Sequence, residues 1–237
     1  MPAAITRMLT LALTLSVPKI PTPVSTSGRA ADTYTSYADL AAHENENTDY
    51  RRVMRLPDGA IASHIAIHGG GIEPGTSQLA DQAAAAGQHA FYAFEGLKRS
   101  ANRVLHLTSN HFDEPWALAL QARMSATVSW HGAHGEQPTT YVGGRDRDLA
   151  DRVTAQLTAA GFPVAATMPP RYTGTSPHNI ANRNVRGRGV QLEITKGQRR
   201  LFFEDGKLHQ PWIDNPSHRT AAFHAYIAAV NDALAGL

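Results

Sequence analysis

Residues 60–94 read AIASHIAIHGGGIEPGTSQLADQAAAAGQHAFYAF. An apolar run through His68 breaks into three glycines. A stretch with helical spacing then opens with Thr76 or Ser77 as N-cap, and a second apolar run, HAFYAF, follows. This predicts strand, glycine loop, helix and strand, the unit that builds a parallel sheet. The pattern extends outward. SYADLAAHE (36–44) predicts a helix and YRRVMRL (50–56) a strand on the upstream side. Downstream, RVLHLTS (103–109), ATVSWH (126–131), TTYVGG (139–144), FPVAAT (162–167) and GVQLEIT (189–195) predict strands. EPWALALQARM (114–124), DRDLADRVTAQLTAAG (146–161, closed by Gly161) and HRTAAFHAYIAAVNDAL (218–234) predict helices. The class is α/β: one domain over residues 33–237, with a mostly parallel (mixed) open sheet flanked by helices.

Composition narrows the chemistry. The chain has 237 residues with 42% apolar and 18% charged, an ordinary globular profile. With no cysteine, disulfides, thiolate metal sites, iron–sulfur clusters and cysteine nucleophiles are all excluded. The formal net charge of +2 is too small for the whole chain to read as a nucleic-acid binder. Mean hydropathy is −0.31, and no apolar run of about 20 residues predicts a membrane span. At the amino terminus, Arg7 precedes an apolar stretch from Met8 to Val17, and small residues follow at Ala30 and Ala31. Residues 1–32 are therefore expected to be a signal peptide of a secreted protein, or else a disordered extension, and in either case outside the fold.

The twelve histidines stand out, because any transition-metal site here must use imidazole and carboxylate. Sites in open α/β sheets gather at the carboxyl ends of strands. One strand delivers His68 into the glycine loop with Glu73 five residues on, so both can reach one cation; the bland alternative is an anion-binding loop. A second ends at His131, with His134 three residues later, either of which could be a third ligand. A third carries Glu193 between Leu192 and Ile194, where a carboxylate needs a partner or a task. Arg183, Arg186, Arg188, Lys196, Arg199 and Arg200 flank it, which suggests a neighbouring salt bridge or an anionic substrate.

IHGGGIEPGTSQLA, NRVLHLTSNHFDEP, VSWHG, YVGGRD, TSPHNIANR and GVQLEIT-KGQRR occur in that order. In these segments the chain resembles the zinc-dependent poly-γ-glutamate hydrolases of phages and bacteria, over about residues 33–235. The resemblance implies a carboxypeptidase-like α/β fold. It also implies one Zn(2+) per chain held by His68, Glu73 and His131, with Glu193 as general base. Gly69 stands where Ala is frequent in the family, and the amino-terminal extension has no counterpart in the phage enzymes. Arg103, His106 and Arg183 are implied as substrate contacts. The implied substrate is the polyanion poly-γ-glutamate, cut at γ-glutamyl amide bonds by zinc-activated water; a monomer without nucleic-acid partners is expected. Two alternatives are a carboxypeptidase-like zinc amidase or deacylase for small N-acyl amino acids, and a non-catalytic anion- or nucleic-acid-binding module.

Overall fold

The computed structural model describes residues 31–236. The leader reading of residues 1–32 falls almost wholly outside them. Asp32, assigned to that leader, nevertheless serves the domain: its carboxylate meets Nδ1 of His106 at 2.6 Å and accepts the Thr108 N–H at 2.5 Å.

Among the described residues, β1 (Tyr50–Arg55), β2 (Ala62–Gly70), β3 (Ala90–Gly96), β4 (Ala126–Ala133), β5 (Thr140–Gly144) and β6 (Val190–Thr195) form one sheet in the order β1-β3-β2-β4-β6-β5. The four inner strands run parallel, and the edges β1 and β5 are antiparallel to their neighbours, so the sheet is open and mixed as expected. Every residue of β2, β3 and β6 is buried, which explains their near-continuous apolar runs. The edge strand β1 instead carries Arg51, Arg52 and Arg55.

The helices are α1 (Tyr37–His43), α2 (Thr76–Gly87), α3 (Pro115–Gln121), α4 (Arg147–Ala159), α5 (Lys196–Arg200), α6 (Gln210–Ile213) and α7 (Ala221–Leu234). On one face α2, α4 and α7 cover Ala66, Phe91, Val128, Trp130 and Leu192. On the other, α1, α3 and the 102–112 segment cover Ile65, Ile67, Tyr92 and Phe94.

Three local expectations are corrected. RVLHLTS forms a 3-10 turn at Asn102–Leu105 and then irregular chain, because Leu105, His106 and Leu107 are all buried and no alternation survives. FPVAAT makes only a bridge from Val164 to Thr140; the Pro163 carbonyl accepts the Thr140 N–H, while Pro163 itself has no N–H to donate. The N-cap of α2 is Gly75 at φ +97°. Thr76 donates its hydroxyl to the Glu73 carbonyl and Ser77 accepts the Gly70 N–H, so both side chains brace the glycine loop instead.

Candidate metal centre

The site is built where β2, β4 and β6 run out, and it begins with an irregularity in β2. Pairing with β3 shifts register between Ala66 and Gly69, three residues of β2 answering two of β3. Strict alternation would send His68 to the same face as His64, among the α2 helix residues. The bulge turns it to the face of Ile67 and the 102–112 segment instead. Gly70, at φ +60°, then closes against Gly96 so tightly that a Cβ would collide with its carbonyl oxygen. The turn brings Glu73 back, with its N–H bonded to the His68 carbonyl at 2.8 Å.

On β4, His131 points to the same face as Ser129 and lies in register with Glu193 of β6. His68 Nε2–H donates to the Leu107 carbonyl at 2.7 Å, which leaves the lone pair on Nδ1. Nε2 of His131 meets Ser129 Oγ at 2.8 Å, so its Nδ1 also turns inward. The two Nδ1 atoms lie 3.1 Å apart, and Glu73 Oε2 lies 3.3 Å from that of His68 and 3.6 Å from that of His131. All three side chains are buried.

Three lone-pair atoms packed together without a cation would repel. The edge of a tetrahedron of ligands at zinc distances is about 3.3 Å, so this donor set suits a divalent zinc-sized ion. When a proton rather than an ion is shared in the cluster, burial would raise the Glu73 carboxyl, but the N–H and charge turned toward it from the imidazoles, His68 foremost, outweigh that and hold its pKa well below the ordinary value. Gly132 N–H adds a bond to Oε2 at 2.8 Å. His134 is exposed beyond the end of β4, so the structure brings His131 and not His134 to the cluster.

Glu193 is buried beside His131. Gln191 Nε2 donates to its Oε1 at 2.9 Å, and Asn179 Nδ2 donates to Gln191 Oε1 at 2.7 Å, which fixes the glutamine amide. Sequence reasoning did not single out Gln191 or Asn179; the signal available was two residues of one face on the strand, i and i+2.

The arginine run does not crowd around Glu193 as expected. Arg186 pairs with Asp146 at 3.2 Å, and Arg188 lies 3.7 Å from Asp146 and 3.8 Å from Asp148. Lys196 and Arg200 pair with Glu136 at 3.1 and 2.7 Å. Arg199 is buried and donates to three carbonyls: Pro74 at 2.6 Å, Ile194 at 3.1 Å and Ala133 at 3.3 Å. It therefore ties together the chain beside Glu73, His131 and Glu193.

His106, read as a substrate contact, is 1% exposed and stacks on the His68 ring at 4.0 Å between centroids, so it backs a candidate ligand. Arg103 is exposed on the 102–105 turn and Arg183 just after the turn Ile180–Asn182. Their two loops are joined by the Ile180 N–H to the Ser109 carbonyl at 3.0 Å.

Residues 34–229 match the family model described as poly-gamma-glutamate hydrolase. The chain belongs to the poly-γ-glutamate hydrolase family. It is 40% identical over 183 residues to the UPF0714 protein YndL of Bacillus subtilis strain 168, covering 77% of this chain and 71% of that one. The fold superposes on a bacteriophage poly-γ-glutamate hydrolase with a TM-score of 0.82 at 33% identity, over 86% of this chain and 97% of that one. A zinc-free structure of YndL gives a TM-score of 0.78 at 34% identity, over 87% and 98%.

Proposed function

We propose that this chain hydrolyses the γ-glutamyl amide bonds of poly-γ-glutamate with one zinc ion held by Nδ1 of His68, Nδ1 of His131 and Oε2 of Glu73. The observation that carries the reading is the convergence of those three atoms within 3.1–3.6 Å, with Glu193 in register beside His131. Family membership and the zinc-free state recorded for a YndL structure support the reaction class and the metal. Bound there, zinc supplies Lewis acidity toward water and the amide carbonyl at neutral pH.

The chain's own residues do the rest. Leu107 and Ser129 hold the two imidazoles with Nδ1 inward, and His106 stacks behind His68. Gln191 fixes Glu193 through Oε1, and we assign Oε2 to proton transfer: it takes a proton from the attacking water and delivers it to the leaving amine nitrogen. Poly-γ-glutamate bears a free α-carboxylate on every residue, and the exposed Arg103 and Arg183 are assigned to contacts along that chain. Secretion belongs to the same proposal, on the Met8 to Val17 apolar stretch and the small residues at Ala30 and Ala31.

The test is metal analysis of the purified protein, followed by viscosity loss of poly-γ-glutamate with and without a chelator. The expected result is about one zinc per chain and a viscosity loss that chelation abolishes and zinc restores. Unchanged cutting by fully metal-free protein would refute the zinc mechanism. Zinc-loaded protein that leaves the polymer intact would refute the substrate.

A further inference from the structure

Arg171 lies in a stretch, MPPRYTG (168–174), that nothing in the sequence reading used. Its placement depends on a close approach. Gly143 of β5 has the Tyr172 and Thr173 carbonyls pressed against it, where a Cβ would stand 2.7–2.8 Å from both oxygens. The Gly144 N–H bonds to the Thr173 carbonyl at 2.8 Å. The 170–173 turn is thereby fastened over β5, the strand next to the one that carries Glu193.

The register of the antiparallel pair puts Tyr141 of β5 directly opposite Glu193, so the two side chains leave the sheet on the same face. Tyr172 is buried against Tyr141 with ring centroids 5.2 Å apart. The Arg171 guanidinium lies over the Tyr172 ring, 4.5 Å from its centre. The row His131, Glu193, Tyr141, Tyr172 and Arg171 therefore runs from a ligand outward to an exposed cation. The Tyr172 hydroxyl, then Tyr141 and Glu193, hold that guanidinium firmly protonated. Among the described residues no carboxylate lies within ion-pair distance of Arg171, in contrast to Arg186, Arg188 and Arg200. A guanidinium steadied on an aromatic face, reached through Tyr141 and Tyr172 on the side of the sheet that carries Glu193, and with no acidic partner among the described residues, is arranged to receive a planar anion from solution.

We propose that Arg171, backed by Tyr172 and Tyr141, is a carboxylate-binding subsite that takes the free α-carboxylate of the glutamyl residue adjoining the scissile bond. The assignment rests on the hydrolase reading above and deepens it. It makes the enzyme selective for amides flanked by a carboxylate-bearing carbon, because a neutral group there would leave the fork of N–H donors unmatched.

The experiment compares kcat/KM for two γ-linked glutamyl oligomers, one with free α-carboxylates and one with α-carboxamides. The proteins are zinc-loaded parent, Arg171→Gln and Arg171→Lys. The parent is expected to prefer the carboxylate oligomer. Arg171→Gln should reduce that preference about ten- to a hundredfold, mostly through KM, and Arg171→Lys should restore part of it. Melting temperatures should agree, because the Arg171 side chain is exposed. If Arg171→Gln keeps the parent's preference, or loses both substrates equally, the subsite assignment is wrong. If the parent cleaves neither oligomer, the hydrolase reading falls and takes the subsite with it.

Discussion

Replacing Arg199 with methionine keeps the length of the stem and removes the fork of donors that joins the three site segments. In the parent, three bonds run from one buried guanidinium to the carbonyls of Pro74, Ala133 and Ile194. Burial pushes its pKa down, while Glu73 and Glu193 draw it back up. The substitution orphans three carbonyls beside the site, so at about 1 kcal/mol net for each bond it should cost about 3 kcal/mol. For a domain of this size each kcal/mol lowers Tm by about 2–4 °C, which gives a drop of about 6–12 °C. A second effect should follow from position. Pro74 adjoins Glu73, and Ala133 lies two residues beyond His131, so zinc affinity should fall about tenfold or more as the ligands lose their bracing. Calorimetry and a competition titration against a chromophoric chelator measure the two. A methionine variant that melts within about 2 °C of the parent and binds zinc equally well would refute the reasoning, since both effects come from the same three bonds.

Ser129→Ala should leave the fold intact but release Nε2 of His131, 2.8 Å from the lost hydroxyl, and weaken zinc binding about ten- to a hundredfold in the same titration. Stability should also depend on His64 and His89, whose rings lie 3.0 Å apart at Nε2 and Nδ1 and whose pKa values burial holds below the ordinary one. Below about pH 6.5 the unfolded chain takes up the protons that these rings refuse, so stability is level above that pH and falls as pH drops below it. Urea midpoints at pH 7.5 and 5.5 should differ, and His89→Gln should narrow the difference; an equal difference in parent and variant would exclude His89 as a contributor.

Much of this fold is readable from local pattern, because β2, β3 and β6 are buried on both faces and carry unbroken apolar runs. Gly161, at φ +84°, ends α4 where the helical spacing stops, and Thr220 caps α7 where the final apolar stripe begins. What escaped depends on distant partners. The bulge that turns His68 toward His131 exists only in its pairing with β3, and periodicity along β2 alone points the ring the wrong way. RVLHLTS is apolar because it crosses beneath His68 and gives it the Leu107 carbonyl, a job that needs no strand. Charge was misread for a related reason. The run from Arg183 to Arg200 is dense in sequence, yet Asp146, Asp148 and Glu136 claim most of it across the fold. The exposed cation stacked on Tyr172, Arg171, comes from an unpatterned loop.

The central claim separates ligands from base, and zinc content measured together on His131→Ala and Glu193→Gln tests it most directly. The account predicts that His131→Ala emerges with no zinc and no activity. Glu193→Gln should hold about one zinc per chain while turning over poly-γ-glutamate at least about a hundredfold more slowly than the parent. Zinc retained by His131→Ala, or zinc lost from Glu193→Gln, would contradict the assignment.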